Sequence, residues 1–202
     1  MKKSILFGIL LWCSAVSFSQ NIEDKVEAAL QKSYDSHNAA AVETFLHDNA
    51  SELSDYWKAY IKYREASKIA KVESEKKEYI EEAIKLLEYS AKDAEDYILL
   101  ALAQNYALQF ANNSEIYNKV NQVISTLQKA EKLDPENARL YLVKAILDMY
   151  TPAKYGGGKN AELYFNMSLS LFENPPAHNK LKWGKEDARI MLGIFRNEGI
   201  SK

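Results

Sequence analysis

ISTLQKAEKLDPENARLY, residues 124–141, decides how this chain is to be read. An apolar helix carries the small Ala130 near its end, the acidic turn Asp134-Pro135-Glu136-Asn137 stops it, and a new helix opens with the aromatic Tyr141. Proline cannot continue the first helix but suits the first turn of the second. The same plan occurs upstream in EEAIKLLEYSAKDAEDY, residues 81–97, where an apolar helix meets an acidic turn and the next helix brings in Tyr97. Two such junctions mark the boundaries between successive helix hairpins.

Working outward, proline is absent before Pro135 and glycine is absent between Gly8 and Gly156. Only short polar clusters punctuate that length, and no alternating run of β-branched residues is bounded by turn residues, so the chain reads as all-α. Apolar spacing predicts helices over 22–34, 38–46 and 51–70, with VESEKKE (72–78) as a turn. A helix over 79–92 follows, with Ile80, Ala83, Ile84, Leu87 and Ser90 in one stripe. DAEDYILLALAQNYALQFA (93–111) is apolar enough to be largely buried. Further helices are predicted over 115–133, with Ser114 as its cap, and over 138–150, 160–172 and 185–197. Tyr56, Tyr60 and Tyr63 share one helix face, which reads as core or as a binding surface.

The two junctions resemble the tetratricopeptide repeat, in which small residues allow close contact within a helix pair and a proline closes the second helix. Ala130 followed by Pro135 matches that ending. The anchors Ala83, Val123 and Ala161 lie about 40 residues apart, longer than the roughly 34 of the standard repeat, and the repeat's tryptophan and Leu-Gly positions are unfilled. NARLYLVKAILDMYTPAKYGGGKNAELYFNMSLSLFEN (137–174) with KWGKEDARIMLG (182–193) resembles a family of exported tetratricopeptide-like proteins from Bacteroidetes and related bacteria, mostly of unassigned function. A looser similarity, confined to the glycine loop, links it to the tetratricopeptide component of some periplasmic transporters. The resemblance implies a right-handed stack of antiparallel hairpins, an α-solenoid with irregular repeats of about 40 residues. By analogy with such arrays, Tyr97, Gln104, Arg139, Leu142 and Met149 are the expected residues of a concave groove, with Arg139 and Gln104 setting a ligand's register.

TPAKYGGGKNA (151–161) holds three of the seven glycines. A phosphate loop would need glycine where Ala153 stands and Ser or Thr where Asn160 stands. The structural reading fits better: Pro152 stops a helix, Tyr155 packs back on the pair, and Gly156, Gly157 and Gly158 permit angles other residues resist. Such a loop is also a possible contact for a partner. Trp183-Gly184 reads alike, the indole packing on the last hairpin and the glycine turning the chain into a closing helix with Ile190, Met191, Ile194 and Phe195 inward.

MKKSILFGILLWCSAVSFSQ, residues 1–20, reads as a secretory signal with a basic start, an apolar core and Ser17-Phe18-Ser19 as a cleavage site. Its SFSQ ending also looks like that bacterial group. The apolar run falls short of the roughly 20 residues that cross a bilayer. Cys13, the only cysteine, offers a rival lipoprotein reading, against which Trp12 stands where a small residue is usual. Cleavage leaves a single helical-repeat domain over 20–202, with 24 basic and 28 acidic residues, a formal charge of −4. No basic stripe points to nucleic acid. His37, His47 and His178 lack metal-ligand spacing, and no nucleophile motif is present, so neither enzyme chemistry nor a cofactor is expected. The expected function is a periplasmic or secreted scaffold that holds a peptide or protein partner of the cell envelope; the alternative is a small-solute-binding or transporter accessory protein.

Overall fold

A computed structural model describes residues 22–197. The expected signal peptide, its cleavage site and Cys13 lie outside the described residues. Those residues form helices and connecting turns with no strand among them, so the fold is all-α. Residues 22–36 make α1, followed by α2 (Ala40–Asp48), α3 (Asp55–Arg64), α4 (Glu73–Ser90), α5 (Ala94–Ala107), α6 (Ile116–Leu133), α7 (Ala138–Tyr150), α8 (Ala161–Glu173) and α9 (Lys185–Asn197). None of them is long and apolar enough to cross a membrane.

The local chemistry explains most boundaries. Asp93 caps α5, its Oδ1 accepting from Asp96 N at 3.0 Å while Asp96 Oδ2 accepts from Asp93 N at 3.4 Å. Asn137 caps α7 by accepting from Arg139 N at 3.0 Å. Three expectations change. VESEKKE is helical rather than a turn, because Glu73 and Glu75 sit in the first turn of α4, where the positive end of the helix dipole favours them. Asn112, not Ser114, gathers the free donors before α6, its Oδ1 accepting from Ser114 N at 3.0 Å and Glu115 N at 3.1 Å. The third helix is not α-helical to residue 70: Glu65–Ile69 widen into a π turn closed by Ala70 N donating to Glu65 O at 2.8 Å.

Each helix from α3 to α9 packs on its sequence neighbour, and α3, α5, α7 and α9 also touch one another in succession. Helix α7 is sandwiched. Its Leu140 and Val143 join a core with the preceding helices, while Leu142, Ala145 and Met149 join a second core with Ala161 and Phe165 of α8 and Ala188, Leu192 and Phe195 of α9. Ile190 is 46 % exposed instead of facing inward, because the buried stripe of α9 runs through 188, 192 and 195. Tyr60 is fully buried and Tyr56 and Tyr63 half-buried, so the tyrosine stripe is core.

The glycine loop returns to the helix it follows. Gly158 N donates to Asp148 O at 2.8 Å, and the Asp148 side chain accepts from Asn160 N at 2.9 Å, so one residue near the end of α7 meets two donors ahead of α8. The amides of Tyr155, Gly156 and Gly157 are taken by Pro152 and Ala153 carbonyls, leaving no cradle of free N–H groups for a phosphate. Gly156 and Gly158 have φ of 90° and 76°. A Cβ at Gly157 would penetrate the carbonyl of Thr151. Gly157→Ala is therefore expected to cost about 1–3 kcal/mol, as overpacking does, and to lower Tm by roughly 2–4 °C for each of those kcal/mol. A thermal melt matching wild type would show that the loop has no such constraint. Tyr155 does not pack back on the pair: it is 73 % exposed, with Lys154 Nζ 4.8 Å from its ring centre.

Candidate functional site

The expected groove residues lie inside the molecule. Arg139 is fully buried, and Gln104, Leu142 and Met149 are buried with it, whereas Tyr97 is half-buried beneath Lys129 Nζ, 5.4 Å from its ring centre. Gln104 Oε1 lies 2.9 Å from Thr126 Oγ1 across the α5/α6 contact. Leu142 and Met149 fill the α7/α8/α9 core. At Arg139 alone, the chain's own residues 179–183, held from the other side by Glu23 of α1, stand where an open groove was expected.

Arg139 is the hub of that closure. Its Nε donates to Glu95 Oε2 at 2.8 Å and its Nη2 to Oε1 at 2.5 Å, a two-pronged pair that matches the planar fork to the carboxylate. Nη1 reaches Leu181 O at 2.9 Å and, more weakly, Trp183 O at 3.4 Å, and Nη2 also bonds Asn179 Oδ1. The guanidinium stands over the Trp183 and Phe172 rings, 5.4 and 5.8 Å from their centres. From the other side, Glu23 of α1 uses a single oxygen, Oε1, to accept from Lys182 N at 2.8 Å and Trp183 N at 3.0 Å. Trp183 Nε1 donates to Tyr56 OH at 2.8 Å, and its ring lies 5.0 Å from that of Tyr60. The indole thus packs across the molecule on α3, not on the last hairpin, because the unhelical run 179–182 carries it there. Gly184 follows at φ 100°, and its carbonyl accepts from Ala188 N at 2.9 Å, turning the chain into α9 as expected.

Three more ties hold the closure. Tyr60 OH donates to Glu27 of α1 at 2.6 Å, and Arg64 joins Asp187 of α9 at 2.8 Å and Tyr34 of α1 at 3.2 Å. Beside Asn179 opens a cleft of about 950 Å³ at the starts of α3 and α5, with Asp55, Asp93, Glu95, Asp96 and Asp134 among its lining residues alongside Lys92, His178 and Lys180. His178 Nε2 lies 3.1 Å from Asp134 Oδ2. Sequence reasoning missed Glu23, Tyr56 and Glu95 as partners, since nothing in the spacing of residues 23, 56, 95 and 139 signals that they converge.

Burial raises the carboxyls of Glu23, Glu65 and Asp96 above their ordinary range, outweighing the bonds and lysine charges that oppose it. Lys62 Nζ is 3.0 Å from Glu65 Oε2, yet neither Glu65 oxygen receives a well-directed hydrogen bond. The folded chain holds these protons more tightly than the unfolded chain does. The stability that this contributes is complete below the ordinary value, 4.5 for the glutamates, and is lost as pH rises through the raised values. Glu65→Gln is expected to melt higher than wild type at pH 7, with the gap shrinking toward pH 4.5. Melts at several pH values check this, and a gap independent of pH would remove the assignment.

Among the described residues, no group of three or more His, Cys, Asp or Glu side chains is placed to hold a metal ion. No family model, curated protein or solved structure matches the chain.

Proposed function

We propose that the chain is an exported, tetratricopeptide-like scaffold that binds a protein or peptide partner of the cell envelope by recognition alone. The observation that carries this reading is the succession of contacts α3–α5–α7–α9, laid over the pairing of each of these helices with its sequence neighbour. An array of that kind has an inner layer built from one helix of every hairpin, able to address an extended partner along its length. The hairpin junctions at 93–97 and 134–141 and the resemblance to exported proteins of this type support it further. A small-solute carrier is the weaker alternative, since pockets of that kind enclose most of their ligand's surface, whereas the cleft here is open.

Crosslinking in the cell envelope with the chain from Gln20 onward, followed by mass spectrometry, tests the proposal. The expected result is one recurring protein, reduced by reversing the exposed cleft charges Asp55→Arg and Lys92→Glu, which leave the core untouched. Recovery of only a co-purifying small molecule would replace the scaffold reading with the solute one.

A further inference from the structure

Residues 179–183 are held in the manner of a bound peptide. Asn179, Leu181 and Trp183 are half-buried or buried, while Lys180 and Lys182 are exposed, the period of two that an extended chain presents to a surface. Much of the contact is to the main chain: Arg139 takes the carbonyls of 181 and 183, and Glu23 takes the amides of 182 and 183. Side-chain selectivity comes from the two ends, where Arg139 bonds Asn179 and Tyr56 with Tyr60 receives the indole. The receiving groups come from α1, α3 and α7, helices far apart in sequence, with Glu95 of α5 fixing the Arg139 guanidinium from behind. The fit is incomplete. Glu23 Oε2 and Asn179 Nδ2 are buried without a hydrogen-bond partner, and release of the run returns Asn179 Nδ2 to water, which lowers the cost of letting go. The run is tethered through Asn174-Pro175-Pro176-Ala177-His178, in which every residue but Pro176 is exposed, and it borders the open cleft.

We propose that the face formed by Glu23, Tyr56, Glu95 and Arg139 is a peptide-binding site, that residues 179–183 are its intramolecular ligand, and that a partner segment of the form Asn-x-aliphatic-x-aromatic displaces them. The inference rests on the scaffold reading and names that scaffold's site and ligand class. A tethered ligand competes at high effective concentration, so the free site is reached only when the tether lets go.

The probe is a synthetic peptide of residues 177–184, AHNKLKWG, titrated by fluorescence anisotropy against the full chain and against Asn179→Ala/Leu181→Ala, which loosens two anchors and keeps Trp183. The loosened chain is expected to bind at least about tenfold more tightly than the intact one, and a peptide with alanine in place of tryptophan at least about tenfold more weakly. Equal affinity for both chains, or no binding to a folded loosened chain, overturns the proposal. Hydrogen exchange of the Lys182 and Trp183 amides in the intact chain provides a variant-free check. They are expected to exchange through an opening of lower free energy than the amides of α5 and α7, and exchange only through global unfolding overturns the proposal. If the envelope crosslinking returns a partner that the loosened chain binds no better, the site is wrong and the scaffold reading stands. A lack of any protein partner removes the scaffold reading itself.

Discussion

Arg139→Ala is expected to lose about 3–5 kcal/mol of stability, through loss of a fully buried guanidinium that pairs with a half-buried carboxylate and bonds three further acceptors. The guanidinium is fully buried, and its removal leaves the carbonyls of Leu181 and Trp183 and the side-chain oxygen of Asn179 without their donor, and Glu95 with only the bond from Asn137 Nδ2 at 2.7 Å. At roughly 2–4 °C per kcal/mol for a chain of this size, Tm should fall by about 6–20 °C. Arg139→Lys keeps the charge but not the planar fork, and should recover only part of the loss. Circular dichroism melts of both variants decide the matter: a fall of a degree or two for the alanine would show that water or a rearranged 179–183 run replaces the guanidinium at little cost. This outcome also bears on function, because a variant designed to weaken ligand binding at Arg139 would first disturb the fold.

Trp183→Ala should be comparably severe, about 3–5 kcal/mol, through a cavity where α1, α3 and α7 meet. The indole is 6 % exposed and belongs to the core built from α1 to α7, although it precedes α9 in sequence. Trp183→Phe separates the contributions. It keeps most of the ring's contact with Tyr60 and Arg139 but removes the donor to Tyr56 OH, a loss of about 1 kcal/mol for a typical hydrogen bond plus the smaller ring's packing deficit. Equal stability of the alanine and phenylalanine variants would mean that the ring itself contributes nothing at this junction. Arg139 and Trp183 touch, so their effects should not add, and a double variant is expected to fall well short of the sum.

Much of the helical layout was legible in the residues because it depends on local chemistry. The Asp134-Pro135 stop and the acidic turn before α5 are read within a few residues of themselves, and α7 and α9 lie where periodicity placed them. The errors also have local causes. VESEKKE looks like a turn because it is so charged, yet its glutamates are those a helix start prefers. Ile190 was assigned inward from its apolar character, whereas α9 spends its inward positions on Ala188, Leu192 and Phe195.

The site was legible by its members and not by its state. Arg139, Trp183 and Gly184 stood out in sequence, but as a ligand contact, a hairpin prop and a turn. What joins them is a meeting of Glu23, Tyr56, Glu95 and residues 179–183, separated by as many as 160 positions. Helix class, the positions of the junctions and the structural character of the glycine loop follow from the sequence by itself, since each is set by backbone preferences and near neighbours; that the loop closes on Asp148 does not. Only the tertiary structure decided that Arg139 is met by the chain's own residues 179–183. Burial of an arginine is acceptable only where a carboxylate and main-chain carbonyls converge on it, and that convergence is a property of the packed helices that no single one of them carries.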